Sequence, residues 1–225
     1  MTDELLALGL SEHGLVSHGE HIALDAEASR CFSLLQQDAR ASGLNIVAAS
    51  GFRSYASQLN IFNAKWRGDR PVLDDTDRPL SRENYSEEQW LHRILRFSAL
   101  PGTSRHHWGT DLDVFDPTLL PQGRNLALTP SEYSETGCFA SLTRWLDHAI
   151  ADGHSHGFQR PYDVDRGGVS IEPWHLSYLP RAEQLRLHQS PYALRELWDR
   201  LPDLRPQGYE VVSPCLDKIF ARYVL

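Results

Sequence analysis

Ten residues near the middle of the chain, Ser104-Arg105-His106-His107-Trp108-Gly109-Thr110-Asp111-Leu112-Asp113, hold two histidines, two aspartates, a serine and a glycine. Pro101-Gly102 precedes them as a turn signal. A second polar cluster, Glu172-Pro173-Trp174-His175, lies far downstream. If both clusters serve one metal ion, the fold must bring distant segments together. That requirement constrains the architecture more than any other feature of the chain.

The residue types suit zinc, which accepts imidazole nitrogen and carboxylate oxygen and, in catalytic sites, keeps three protein ligands with a water in the fourth position. His106 ends a loop and Asp113 stands on the strand that follows, with Gly109 turning the chain between them so that both face one point. Asp111 and Asp113 share a strand face by the period of two, so Asp111 is the competing carboxylate. His175 supplies the third ligand. In a regular strand Glu172 and His175 would face opposite sides, but Pro173 favours a bulge or bend that points both at the metal. A carboxylate beside zinc-activated water can take its proton and pass it to a leaving amine. Trp174 would wall the pocket. Arg53, offered by the turn Ser50-Gly51-Phe52-Arg53-Ser54, suits an oxyanion. Gln58 lies one helical turn beyond Ser54 and offers its amide to the same pocket, and Ser104 is placed to bond a substrate carboxylate or backbone.

Taken singly, these residues have ordinary explanations. Arg53 reads as a surface ion-pair residue, Trp174 as core or rim, and His107 as structural or exposed. His154 and His156 read the same way, while remaining alternative ligands. The joint occurrence carries the argument.

Along the chain, residues 1–20 read as irregular. Apolar positions Ala28, Cys31, Phe32, Leu35 and Ala39 predict a helix from Leu24 to Ser42, stopped by Gly43. Leu44–Ala49 has strand character, and Ser54 caps a helix from Tyr55 to Trp66. Residues 67–80 form a surface excursion. A capping box at Ser86–Gln89 opens a helix through Phe97. A strand is expected over Leu112–Phe115, a loop over 117–136 and an amphipathic helix from Cys138 to Ala151. Strands begin at Gly157–Tyr162 and resume at Val169–Glu172. Past Pro180 the pattern is helical, with a short last helix near Leu216–Tyr223.

With 225 residues, 41% of them apolar and 23% charged, the chain suits a single domain over 1–225. Its core covers about 25–180, with an insertion at 67–100 and a helical tail at 181–225. The formal net charge of −8 gives a nucleic-acid partner no electrostatic support. Cys31, Cys138 and Cys215 form no CxxC pair and read as reduced thiols. The acidic start lacks the basic region and apolar core of a signal peptide, and no apolar run reaches membrane-span length, so a cytoplasmic protein is expected, or an envelope protein if a leader has been removed.

The pattern Ser104-x-His106-x-x-Gly109-x-Asp111-x-Asp113, followed by Glu172-x-Trp174-His175 and preceded by Ser50–Ser54, resembles the VanY-type D-alanyl-D-alanine carboxypeptidases of the LAS metallopeptidase group. The resemblance covers roughly residues 25 to 180. The elements along the chain read as an α+β fold in which helices pack on a small, mostly antiparallel sheet, with the zinc site in a cleft on the sheet and a helical C-terminal extension. The resemblance implies zinc on His106, Asp113 and His175, and Glu172 as general base and acid. Arg53, Gln58, Ser104 and Trp174 would line the substrate site. Asp111 stands where the family often has a small residue. The implied activity is removal of a C-terminal D-alanine from peptidoglycan stem peptides or muropeptides. The alternatives are an L,D-carboxypeptidase, a D,D-dipeptidase or a non-catalytic zinc-stabilised binding module.

Overall fold

The computed structural model describes residues 2–224. Its centre is a four-stranded sheet of β3 (Val47–Ser50), β4 (Asp111–Phe115), β5 (Phe158–Gln159) and β6 (His175–Tyr178). The strand order is β3-β4-β6-β5 and every pairing is antiparallel. A separate hairpin joins β1 (Leu15–His18) to β2 (Ile22–Asp25). The protein is thus α+β, with helices on the sheet and beyond it.

Alternation along the central strands separates core from chemistry. Leu112 and Val114 of β4 and Leu176 and Tyr178 of β6 enter the sheet core. There they join Phe32 and Leu35 of α2 (Ala26–Ala41) and Leu142 and Leu146 of α6 (Ala140–Ala151). Asp111 and Asp113 pair across the strands with Ser177 and His175, so all four side chains lie on the other face. Asp25 caps α2 by accepting from the backbone N–H groups of Glu27 and Ala28, satisfying donors that a helix start leaves free.

A second core is built from helices. Tyr55 and Phe62 of α3 (Tyr55–Arg67) pack with Trp90, Leu91 and Ile94 of α4 (Glu87–Leu95). Leu194 and Trp198 of α8 (Pro191–Arg200) and Val212, Leu216 and Ile219 of α9 (Tyr209–Ile219) complete it. The expected insertion and the expected tail therefore pack on each other. The capping box at Ser86 and Gln89 forms as its sequence predicts.

Several expected elements differ. Residues 2–18 are not irregular, because they hold α1 (Thr2–Ala7) and β1. Leu6 and Ala7 dock against Trp108 and against Ala182 and Leu185 of α7 (Leu179–Arg186), a tertiary contact that organises a segment too short to show a period. Residues 169–172 form no strand, since both edges of β6 are already taken by β4 and β5. The segment 117–136 includes the short helix α5 (Pro130–Tyr133). The last helix starts at Tyr209, earlier than expected, and α4 ends at Leu95.

Candidate active site

The two polar clusters meet on the cleft face of the sheet. Ligand atoms of His106, Asp113 and His175 all lie within 4.8 Å of one another, and all three residues are buried. His106 sits in a short 3₁₀ turn (Arg105–Trp108) closed by Gly109 in the left-handed conformation. A side chain on Gly109 would collide with Leu15 and with the Asp25 backbone, so this turn fits against the N-terminal hairpin only with glycine. His106 Nδ1 lies 2.9 Å from the Gly51 carbonyl. A proton on that nitrogen donates to the carbonyl and leaves the Nε2 lone pair facing Asp113, whose Oδ2 is 3.5 Å away.

Glu172 and His175 are joined by a tight turn in which the His175 N–H donates to the Glu172 carbonyl at 3.1 Å. Pro173 occupies the second position, where its fixed φ is already suited to the turn. The turn replaces the strand geometry that would have set the two side chains apart. His175 Nδ1 stands 3.4 Å from Asp113 Oδ1 and 3.4 Å from Glu172 Oε2. On the opposite side of the ring, Nε2 is 2.9 Å from Asp111 Oδ1. Asp111 thus holds the outer nitrogen and aims the inner one at the cluster, the arrangement that orients a metal-binding imidazole.

Asp111 is itself held in a buried network. It accepts from Arg105 Nε at 2.7 Å, from Thr110 Oγ1 at 2.7 Å and from Ser177 Oγ at 3.0 Å, while Arg105 also donates to Ser177 at 2.6 Å. Burial alone would raise the Asp111 carboxyl, but Arg105 and the bonds from His175 and Thr110 hold it well below the usual carboxylate range. Asp113 is likewise held low by His106 and His175 against the pull of burial. Burial disfavours a charged His175, yet Asp111, Asp113 and Glu172 together raise it well above its ordinary value.

The donor set fits zinc. Two imidazoles and one carboxylate converge, each with its outer atom fixed by the protein. Ser50 Oγ donates to Asp113 Oδ2, while Oδ1 is buried without a hydrogen-bond partner. A buried carboxylate oxygen without a partner carries a desolvation cost that a cation removes. A β-bulge between Ala48 and Ser50 brings the serine opposite Asp113.

A cavity of about 350 Å³ opens beside the cluster. Arg53, Ser104, Trp174 and Glu172 all line it, together with Tyr162, whose ring centroid is 5.1 Å from that of His175. Arg53 is held through its backbone, which donates to the His106 carbonyl and accepts from His107 Nδ1. Burial lowers the Arg53 pKa, opposed by Asp113 and Glu172. Gln58 is placed differently from the sequence expectation. It is fully buried outside the cavity lining, accepts from Arg53 NH1 at 2.9 Å and donates to the Ala99 carbonyl at 2.7 Å. Its amide oxygen braces Arg53 while its nitrogen is anchored to Ala99. His107 is also fully buried, and His156 pairs with Asp38 away from the site. The motif reading missed Arg105, Ser177 and Tyr162; the paired register of β4 and β6 is the signal that would have marked Ser177.

A profile of the VanY D-alanyl-D-alanine carboxypeptidase family matches residues 21–181. An uncharacterized protein of Haemophilus influenzae is 37% identical over 129 residues, which are 56% of this chain and 93% of that one. A D-alanyl-D-alanine carboxypeptidase of Enterococcus faecalis is 26% identical over 184 residues, covering 80% of this chain and 57% of that one. Among solved structures, VanYB in complex with D-alanine-D-alanine aligns with a TM-score of 0.53 at 24% identity, over 77% of this chain and 81% of that one. The vancomycin-resistance D,D-pentapeptidase VanY in complex with Zn(II) aligns with a TM-score of 0.51 at 27% identity, over 78% and 84%. The matched span holds both polar clusters and the sheet that joins them, and the chain belongs to the VanY D-alanyl-D-alanine carboxypeptidase family.

Proposed function

We propose that this protein is a zinc-dependent carboxypeptidase that removes a C-terminal D-alanine from peptidoglycan stem peptides. The observation that supports it most is the placement of Glu172 beside, and not among, the converging His106, Asp113 and His175, at the wall of an open cavity. Zinc held by those three residues would polarise the scissile carbonyl and activate a water for attack. The Glu172 carboxylate would accept the water's proton and deliver it to the leaving amine, so that one group serves as base and then as acid. Arg53, braced by Gln58 and tied through its backbone to the His106 carbonyl and the His107 imidazole, would meet the negative charge that develops on the carbonyl oxygen. Trp174, packed against Tyr133 at 5.5 Å between centroids, would keep that side of the cavity dry. Ser104 lines the same cavity and would orient the peptide end.

A non-catalytic zinc-stabilised module has no use for a carboxylate placed like Glu172. Cleavage of an L,D bond or release of a dipeptide would use the same groups. The deciding experiment is mass-spectrometric digestion of defined tetra- and pentapeptide stems by the zinc-loaded protein, with and without chelator. Loss of one D-alanine from the pentapeptide is the expected result. Glu172→Ala should keep stoichiometric zinc while losing about 10²–10⁴-fold in turnover. Undiminished hydrolysis by that variant would sink the role given to Glu172.

A further inference from the structure

Residues past 181 lie outside the span that matches the family, yet some of them reach the cleft. After α9 the chain makes one π turn, Phe220–Val224. Phe220 is buried in the helical core. Tyr223 lines the cavity, and its hydroxyl lies 2.9 Å from His92 Nδ1 of α4. The two rings stack with 5.8 Å between centroids. The π turn is thereby fixed to α4, and Arg222 beside Tyr223 bonds the loop that precedes Glu172.

That loop has little support of its own. Residues 163–167 are exposed, Gly167 has a φ of +79°, and Gly168 follows it. Paired glycines leave a backbone many conformations, so a single one has to be imposed from outside. Two arginines impose it. Arg222 Nε donates to the Gly167 carbonyl at 2.6 Å, and Arg96 NH1 donates to the Gly168 carbonyl at 2.8 Å. The backbone of the π turn also presses on the loop. A Cβ on Gly168 would fall against the Arg222 carbonyl oxygen, so the close approach needs glycine there. Further on, the Ser170 N–H donates to the Arg96 carbonyl at 2.9 Å and the Glu172 N–H to the Tyr162 carbonyl at 3.0 Å. Arg222 is exposed, so its bond competes with water, and removing it should loosen the loop without unfolding the core.

We propose that Arg222 and Tyr223 are positioning residues for Glu172: the π turn clasps the loop against Arg96 and so fixes where the carboxylate stands beside the metal cluster. The task of that carboxylate rests on the peptidase reading above. The turn to His175 holds Glu172 from one side, and the clasped loop holds it from the other. A group that takes a proton at one atom and delivers it at another is sensitive to such support, since a misplacement of about 1 Å can cost about 100-fold in rate.

The test reads the loop and the chemistry separately, in zinc-loaded protein. Hydrogen exchange followed by mass spectrometry reports on the backbone of 165–172 and, as a control, of 104–113. In Arg222→Ala, exchange over 165–172 should speed up about threefold to tenfold, the worth of one hydrogen bond, with 104–113 and zinc stoichiometry unchanged. Release of D-alanine should lose a similar factor in kcat with KM within about twofold, because the proton acceptor moves and the peptide contacts stay. A bond that merely stabilised the fold would lower the melting temperature and leave kcat of the folded protein as it was. Arg222→Lys, which can still donate to the Gly167 carbonyl, should recover most of both effects. Gly168→Ala, which forces the π turn off the loop, should give the same pattern at larger amplitude, and Tyr223→Phe at smaller. Unchanged exchange over 165–172 in both Arg222→Ala and Gly168→Ala, or equal acceleration over 104–113, would overturn the clasp. A loosened loop with undiminished kcat would overturn the positioning of Glu172 and leave the peptidase reading standing. A loosened loop in a protein whose Arg222-bearing form hydrolyses no stem peptide upholds the clasp and refutes the peptidase reading.

Discussion

The two cores of this molecule contribute to the cleft in different ways. On the sheet side, polar atoms are locked into chains of hydrogen bonds. Gly51 holds His106, Ser50 holds Asp113, and Asp111 with Arg105 and Ser177 holds His175. On the helical side, Trp90, Phe62, Trp198 and their neighbours pack by shape, and the polar groups facing the cavity include Lys65, Arg70 and Ser98. The sheet half fixes atoms for bond-making, because strand register places side chains to a fraction of an ångström. The helical half offers a charged, adjustable wall. Metal binding should therefore depend on the first and peptide affinity on the second.

The largest test of that division is Trp90→Ala. Trp90 is fully buried and its indole N–H lies 3.2 Å from both the Lys65 and Trp66 carbonyls. Its loss should cost about 3–5 kcal/mol of stability by denaturant titration and weaken peptide binding, while the folded fraction keeps one zinc. Loss of zinc in proportion would show the two halves to be one inseparable unit. Next in size is Asp111→Asn, which keeps the shape but removes the charge behind His175. Competition with a chelator should show zinc affinity lower by about 10–100-fold, and unchanged affinity would strip Asp111 of its orienting role.

The smallest effect concerns His107, which joins the halves. Its Nδ1 donates to the Arg53 carbonyl, its Nε2 accepts from the Gly102 N–H, and its ring stacks near Tyr55 of the helical core. Burial pushes its pKa down to about 3, against about 6.5 in an unfolded chain. Between those values the unfolded state binds the extra proton, so stability is full above about pH 6.5 and is lost as pH falls toward 3. His107→Gln should make unfolding free energy less steep in pH by up to about one proton between about pH 4 and pH 6. An unchanged slope would mean that the imidazole does not stay neutral in the folded state.

Much of the sheet half could be read from the chain. Its ligands sit in short motifs with uncommon composition, and Pro173 announced the turn that brings Glu172 beside His175. Asp111 was harder, because alternation put it on the correct face without showing that Arg105, six residues earlier, would claim it. The helical half was less legible at the site. Lys65 sits in the last turn of an amphipathic helix, where a lysine ordinarily complements the helix dipole, and only packing of α4 over α3 turns it inward. The alternating Val169-Ser170-Ile171-Glu172 looked like a strand because periodicity carries no information on whether a sheet edge is free. Gln58 was placed near the correct neighbours but given an outward task, since its burial depends on the Ala99 carbonyl from beyond the excursion.

Arg96, just past α4, bonds Asp75, Asp165 and the Gly168 carbonyl, and its own carbonyl accepts from the Ser170 N–H. The loop that leads into Glu172 is thus tethered to the excursion at 67–80, whereas Glu172 itself is joined by its turn to His175 of β6. The approach to Glu172 and the cradle of His106 and Asp113 therefore hang from different supports. Changes in the length of that excursion should then shift the approach to Glu172 and the shape of the cavity beside it, while His106 and Asp113 keep their places.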